Sequence, residues 1–124
     1  MANDLAAIEA VLRTYFDGLY EGSVEKLGMA FHETADLRSV AADGTLSVMS
    51  RAAWFEAVRS RPSPKSRDLP RHDWVVTIDR SGPATAFAKV FCAIPPRYFT
   101  DYLTLARLPE GWIIVGKTFH TDTH

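Results

Sequence analysis

The stretch FTDYLTLARLPEGWIIVGKTFH, residues 99–120, constrains the fold more than any other part of the chain. Residues typical of strands lie on both sides of Pro109-Glu110-Gly111, which predicts two long strands joined by a tight turn. Asp101 alternates in step with Phe99, Leu103 and Leu105, so we expect it on the apolar face of its strand. A carboxylate on that face needs an explanation, either structural or functional.

The first half of the chain contains three helical patterns. Asn3 is expected to cap the first helix, which ends at Gly22, and Ser23 and Ser50 are expected to cap the second and third. Apolar residues recur at helical spacing in each: Leu5, Ile8, Val11, Leu12, Tyr15, Phe16 and Leu19; Val24, Leu27, Ala30 and Phe31; Ala53, Trp54, Ala57 and Val58.

Strands account for the rest of the chain. A hairpin over residues 37–42 and 46–49, turning at Asp43-Gly44, is predicted between the second and third helices. Residues 61–70, RPSPKSRDLP, hold three prolines and no periodicity, which predicts a mobile loop. Four strands then follow as a meander, near residues 74–78, 85–94, 97–108 and 112–120. This order predicts one α+β domain over 1–124, with the helices on one face of a curved antiparallel sheet.

Composition excludes several classes of protein. With 124 residues, 47% hydrophobic and 23% charged, the chain is long enough for a sizeable core. The net charge is −1 with no basic stripe, which argues against nucleic acid as a partner. Its one cysteine, Cys92, excludes an internal disulfide and a cysteine-based zinc motif. No apolar run approaches a membrane span and MANDLAAIEA does not resemble a signal peptide, so we expect a cytoplasmic protein without a membrane partner.

Simple alternation in the last strand places apolar residues on both faces of the sheet. One face would carry Trp112, Ile114, Gly116, Thr118 and His120. The other would carry Ile113, Val115, Lys117 and Phe119, with Phe87 and Phe91 alongside. An apolar outer face predicts a homodimer through the sheet, and the alternative is that the C-terminal tail or the proline-rich loop covers it.

Four segments carry a resemblance to a known family: VLRTYFDGLYEGSVEKLGMAFHETADL, SRAAWFEAV, FTDYLTL and GWIIVGKTFH. In this order they resemble the nuclear transport factor 2-like superfamily, and within it the putative lumazine-binding family, over nearly the whole chain. The resemblance implies a cone, in which a strongly curved sheet of cystatin-like type wraps the helices around a deep pocket. It also implies a dimer, but it specifies function poorly, because this cone hosts many activities.

Within such a cone, Asp101 and His120 are predicted to project into the pocket and are the candidate catalytic residues. Tyr15, His32, Ser39 and Trp54 are the predicted ligand-binding residues. Burial disfavours the charged form of a carboxylic acid, so Asp101 would act as a base or as a neutral hydrogen-bond donor.

The ketosteroid isomerase branch of the superfamily provides a test. That branch binds an enolate oxygen with a tyrosine on the first helix and an aspartate on a late strand, and Tyr15 and Asp101 align with these. The aspartate base of the branch aligns near Ser39, which cannot abstract a proton from carbon, and Asp36 lies on the wrong alternation. The set of three catalytic residues of that branch is therefore incomplete, and we do not predict its isomerase activity.

Each candidate also has a structural interpretation. Asp101 would satisfy backbone N–H groups or pair with His32 or His120. Tyr15, Trp54 and Trp74 would be core residues, His32 would cap a helix and His120 would only end a strand. Arg38 and Arg97 would be solvated, or would meet an anionic ligand at the mouth of the cone. A metal site formed by His32, Asp101 and His120 lacks ligand spacing, so no metal is predicted.

Two functions remain open at this point. The first is a protein that binds a small apolar or aromatic molecule, either as a binding protein or as an isomerase, dehydratase or cyclase that needs no cofactor. The second is a dimeric interaction or regulatory module with a vestigial pocket. An open cavity with polar groups favours the first, and a filled cone with Asp101 satisfied by protein partners favours the second.

Overall fold

The computed structural model describes residues 3–124, and the three predicted helices lie in this range. They are α1 (Asp4–Glu21), α2 (Val24–Ala30) and α3 (Arg51–Arg59). The side chains of Asn3, Ser23 and Ser50 accept hydrogen bonds from backbone N–H groups in the first turns, which confirms all three predicted caps. α1 ends at Gly22, whose φ of 69° suits a residue without a Cβ.

Six strands form one sheet in the order β2-β1-β6-β5-β4-β3. Their bounds are β1 (Asp36–Val40), β2 (Leu46–Ser50), β3 (Trp74–Ser81), β4 (Thr85–Ile94), β5 (Arg97–Leu108) and β6 (Gly111–Thr123). The predicted hairpin and the four-strand meander are both confirmed. One pair departs from the antiparallel pattern, because β1 runs parallel to β6 and so attaches the early hairpin to the last strand.

Two β-bulges change which side chains face inward. The register of β6 against β5 shifts so that Ile114 pairs with Leu105 and Gly116 with Thr104, which leaves Val115 as an extra residue. Val76 is likewise extra in β3. A bulge places two residues opposite one, bends its strand and changes the alternation beyond it.

The helices cover the inner face of the sheet, and the core lies between them. α1 packs against β6 and β4, and α2 packs against α1. The largest fully buried side chains are Tyr15, Phe31, Ile8, Leu12, Leu27, Leu103, Leu105, Ile114, Val90 and Asp101. The architecture is the predicted α+β cone.

The expectations for Trp74 and Ala53 were wrong. Trp74 was expected in the core, but it is 54% exposed, because it pairs with Phe91 on the outer face before the β3 bulge. The spacing predicts Ala53 on the same side of α3 as Trp54 and Val58, but Ala53 is exposed whereas the other two are buried.

The proline-rich segment has local structure. Lys65–Arg67 form one turn of 3-10 helix, Pro64 is buried, and the Tyr20 hydroxyl of α1 donates to the Leu69 carbonyl at 2.7 Å. The segment therefore packs against α1. Among the described residues, no helix combines the length and the apolar character that crossing a membrane requires.

Candidate functional site

Asp101 lies on the inner face of β5, as the sequence predicted, and is completely buried. Its cross-strand neighbours are Val90 on β4 and Phe119 on β6. The carboxylate therefore sits within the apolar interior of the cone, where it needs polar partners.

Two neighbouring side chains donate to one oxygen of this carboxylate. Tyr15 of α1, itself fully buried, donates its hydroxyl proton to Oδ2 at 2.5 Å. The thiol of Cys92 on β4 donates to the same oxygen at 3.3 Å. The other oxygen, Oδ1, has no hydrogen-bond partner among the described residues. The expected proximity of Tyr15 and Asp101 is confirmed.

Lys117 is the cation of this cluster, although simple alternation along β6 predicts it on the opposite face. It lies on β6 with only 5% of its side chain exposed. Its Nζ donates to the Tyr15 hydroxyl oxygen at 2.8 Å and lies 3.7 Å from Asp101 Oδ2. Tyr15 thus connects a buried ammonium to a buried carboxylate. The available signal was Gly116, because a glycine inside a strand often marks a bulge.

The same bulge makes the prediction for His120 wrong. Simple alternation placed His120 on the face of Trp112 and Ile114, but the extra residue at Val115 turns it outward. The His120 side chain is 69% exposed and bonds to Asp122 at 2.9 Å. The cation beside Asp101 is therefore Lys117 instead of a histidine.

The other polar residues considered for the site do not join the Asp101 cluster. His32 is half-buried, and its Nδ1 lies 2.7 Å from the Thr34 hydroxyl, away from the Asp101 cluster. Ser39 is half-buried opposite Ser47. Asp36 forms an ion pair with Arg38 at 2.9 Å near the surface. Within residues 3–124, no three His, Cys, Asp or Glu side chains converge in a way that could hold a metal ion.

Aromatic rings surround the ammonium of Lys117. Its Nζ lies 4.9 Å from the ring centres of Trp54 and Phe119, 5.2 Å from Tyr15 and 5.9 Å from Phe99. At such distances the face of each ring attracts a cation. Trp54, a predicted ligand-binding residue, thus contributes to the site.

Tyr15 and Cys92 hold their protons firmly. Burial raises the pKa of the Tyr15 phenol well above its usual 10.0, and repulsion from Asp101 adds to the effect. Burial also raises the pKa of the Cys92 thiol, again with Asp101 as the second cause. Both groups stay protonated at neutral pH and act as hydrogen-bond donors.

A cavity of about 230 Å³ opens beside the cluster, bordered by α1, α3, the segment after α3 and strands β1, β2, β4, β5 and β6. Its apolar walls include Leu19, Leu37, Trp54, Ile94, Phe99 and Phe119. Three cationic side chains also line it: Arg61, Arg97 and Lys117. Tyr15 and Asp101 are fully buried and lie behind Lys117, so Lys117 is the member of the cluster that faces the cavity.

Residues 3–120 match the family described as Putative lumazine-binding. The chain belongs to this family. No curated protein is detectably similar in sequence. The match covers both sides of the cavity, from α1 through most of β6.

Solved structures agree with this assignment. A nuclear transport factor 2-like protein of unknown function from Shewanella baltica OS155 superposes with a TM-score of 0.84 at 25% identity, covering 97% of this chain and 94% of that one. A cystatin-like fold protein from Burkholderia xenovorans LB400 superposes with a TM-score of 0.72 at 21% identity, and the match covers 100% of this chain and 95% of that one. The putative lumazine-binding chain therefore has the nuclear transport factor 2-like fold, which confirms the resemblance seen in the sequence.

A third structure is a ketosteroid isomerase-like protein from Erwinia carotovora atroseptica SCRI1043. Its TM-score is 0.74 at 12% identity, and the match covers both chains completely. At this identity the likeness concerns the fold alone.

Proposed function

We propose that this protein binds a small organic molecule in the cavity beside Lys117. One observation carries the proposal: an open, aromatic-walled cavity ends at a nearly buried ammonium. Pockets for small molecules typically combine apolar walls with a few placed polar groups. The family's description names lumazine, a flat bicyclic ring system, and walls that include Trp54, Phe99 and Phe119 suit a flat ring.

Binding is better supported than isomerase chemistry of the ketosteroid type. That chemistry needs a tyrosine and an aspartate that both reach the ligand, together with a separate base. Here Tyr15 donates to Asp101, and Lys117 lies between the pair and the cavity. Ser39, at the position of the base, is a hydroxyl and does not line the cavity.

The test is a screen of small aromatic compounds by ligand-observed NMR against the wild type and a blocked variant. Ala57 of α3 lines the cavity, so Ala57→Phe fills part of it. Ala53→Phe, on the exposed side of the same helix, is the matched control. We expect compounds that bind the wild type and Ala53→Phe but lose their binding signal with Ala57→Phe.

The opposite result would favour the second function, a module that acts through its surface. If no compound distinguishes Ala57→Phe from Ala53→Phe, the cavity is not a binding site. Native mass spectrometry of the purified wild type provides an independent check, since a retained small molecule adds its mass to the protein.

We also propose that two copies associate through the outer face of the sheet. After correction for the bulge, this face carries Trp74, Phe87, Phe91, Tyr102, Ile113 and Val115, while Lys117 and Phe119 face inward. Trp74 is 54% and Tyr102 is 47% exposed. Lys89 and Asp79 lie on the same face, and a two-fold axis allows opposite charges of one patch to pair with those of its copy.

A further inference from the structure

The charges around the cavity have one sign. Arg61, Arg97 and Lys117 line it, and none of the lining residues, all within the described chain, is acidic. The acid of the cluster, Asp101, lies behind Lys117 and has no exposed surface. A site with three cations and no facing acid favours a negatively charged ligand.

The two arginines have no acidic partner in the described part of the chain. Several other arginines pair with a carboxylate within 3.0 Å, among them Arg38, Arg59, Arg71 and Arg80. Among residues 3–124, no ion pair involves Arg61, which follows α3, or Arg97, which begins β5. Burial lowers the pKa of Arg61, and repulsion from Arg97 lowers it further. An anion near both side chains would stabilise the charged form of Arg61 and offset its repulsion from Arg97.

Lys117 adds unused donors at the inner end of the cavity. An ammonium carries three N–H donors. One is taken by the Tyr15 hydroxyl, and Asp101 Oδ2, at 3.7 Å, lies beyond normal hydrogen-bond distance. Donor capacity therefore remains for an oxygen that enters from the cavity side, where charge-assisted bonds are strong.

The walls restrict the rest of the ligand. Trp54, Phe99 and Phe119 line the cavity together with aliphatic side chains, and its volume of about 230 Å³ admits a compact molecule. Cationic donors combined with aromatic walls select an amphipathic anion, in which a flat apolar body carries one acidic group.

We infer that the cavity binds a small aromatic carboxylate, whose oxyanion contacts Lys117, Arg61 and Arg97 while its ring packs against Trp54, Phe99 and Phe119. This assignment rests on the proposed binding function and specifies its ligand class. It also explains why the cluster behind the cavity presents a cation to it.

The experiment compares naphthalene-2-carboxylate with its neutral isostere, naphthalene-2-carboxamide, by isothermal titration calorimetry. We expect the carboxylate to bind the wild type at least about tenfold more tightly, as charge-assisted hydrogen bonds allow. Arg61→Gln and Arg97→Gln should each weaken the carboxylate roughly five- to tenfold and leave the amide unchanged. Added NaCl should weaken only the carboxylate, since salt screens exposed charges.

Arg107→Gln is the matched control, because Arg107 is an exposed residue at the other end of the strand that Arg97 begins. It should bind both probes like the wild type. Lys117→Met should abolish the preference for the carboxylate. If the Lys117→Met variant does not fold, the two arginine variants still test the assignment.

Two results would overturn the assignment. Equal binding of both probes, lost in Ala57→Phe but unaffected in the arginine variants, would show a functional cavity that does not select anions. Failure of both probes to bind at millimolar concentration would exclude this ligand class. The NMR screen with Ala57→Phe and Ala53→Phe would still decide separately whether the cavity binds any small molecule.

Discussion

Asp101 and Lys117 form a buried ion pair that the interior tolerates only because both members are present. Taking charges out of water is costly, and attraction at 3.7 Å with Tyr15 as a bridge offsets part of that cost. Removing one member leaves the other as an uncompensated buried charge. The pair therefore affects stability chiefly through the penalty for breaking it.

Single substitutions in this pair should be far more harmful than their combination. We expect Asp101→Asn and Lys117→Met each to lower the free energy of unfolding by about 3–5 kcal/mol. The double variant should lose clearly less unfolding free energy than the sum of the two single losses, because neither charge is then left without its partner. Urea denaturation of the four proteins measures the coupling, and additive losses would show that the two side chains do not act as a pair.

The protonated state of Tyr15 predicts sensitivity to alkali. Its pKa is raised in the folded protein, so the native state holds this proton more tightly than the unfolded chain, whose value is near 10.0. Stability from this group is fully present below about pH 10 and falls by about 1.4 kcal/mol per pH unit above it. Cys92 acts in the same direction from about pH 9.0.

Urea unfolding between about pH 9 and 11 tests this expectation. Tyr15→Phe should have a lower free energy of unfolding at every pH, because the bridge between Lys117 and Asp101 is lost. Its free energy of unfolding should fall less steeply with pH than that of the wild type, by a slope that corresponds to about one proton. Equal slopes for wild type and Tyr15→Phe would contradict the proposed role of the Tyr15 proton.

At the scale of elements, the contact between α1 and α2 depends on a glycine. A Cβ at Gly18 would lie 2.9 Å from Leu27 Cδ2 and 3.1 Å from the Leu27 backbone nitrogen. A Cβ at Gly28 of α2 would meet Phe55 at an ordinary 3.7 Å. The two glycines therefore differ in packing although both lie in helices.

Alanine at these two positions should have opposite effects. Gly18→Ala should destabilise by about 1–3 kcal/mol, because the helices must separate, despite the higher helix propensity of alanine. Gly28→Ala should stabilise by up to about 1 kcal/mol, because only the propensity changes. Thermal unfolding of both variants checks this, and stabilisation by Gly18→Ala would show that the interface is loose.

At the scale of the whole molecule, the proposed dimer predicts the effect of a charge placed on the outer sheet face. Tyr102→Glu places a charge on that face and should convert a dimer into a monomer, since an unpaired charge is costly in an interface. Met29→Glu, at a site on α2 that is 66% exposed, is the control and should leave the dimer intact. Light scattering after size exclusion gives the mass, and a monomeric wild type would reject the proposal.

The sequence by itself determined the helices, their caps, the four-strand meander and the inward direction of Asp101. These features follow from local rules, because capping residues, turn residues and apolar periodicity act over a few neighbouring positions. The family resemblance supplied the cone and the proximity of Tyr15 and Asp101. The cytoplasmic location stays a prediction.

Only the tertiary structure decided the partner of Asp101 and the charge of the cavity. One extra residue, Val115, turns His120 outward and Lys117 inward. A prediction from strict alternation along a strand assumes no such extra residue, so it assigns both side chains to the wrong face. Arg61 and Arg97 come from separate segments that the fold brings to one cavity. Contacts between distant elements depend on register and curvature, which arise from the packing of the whole sheet against its helices.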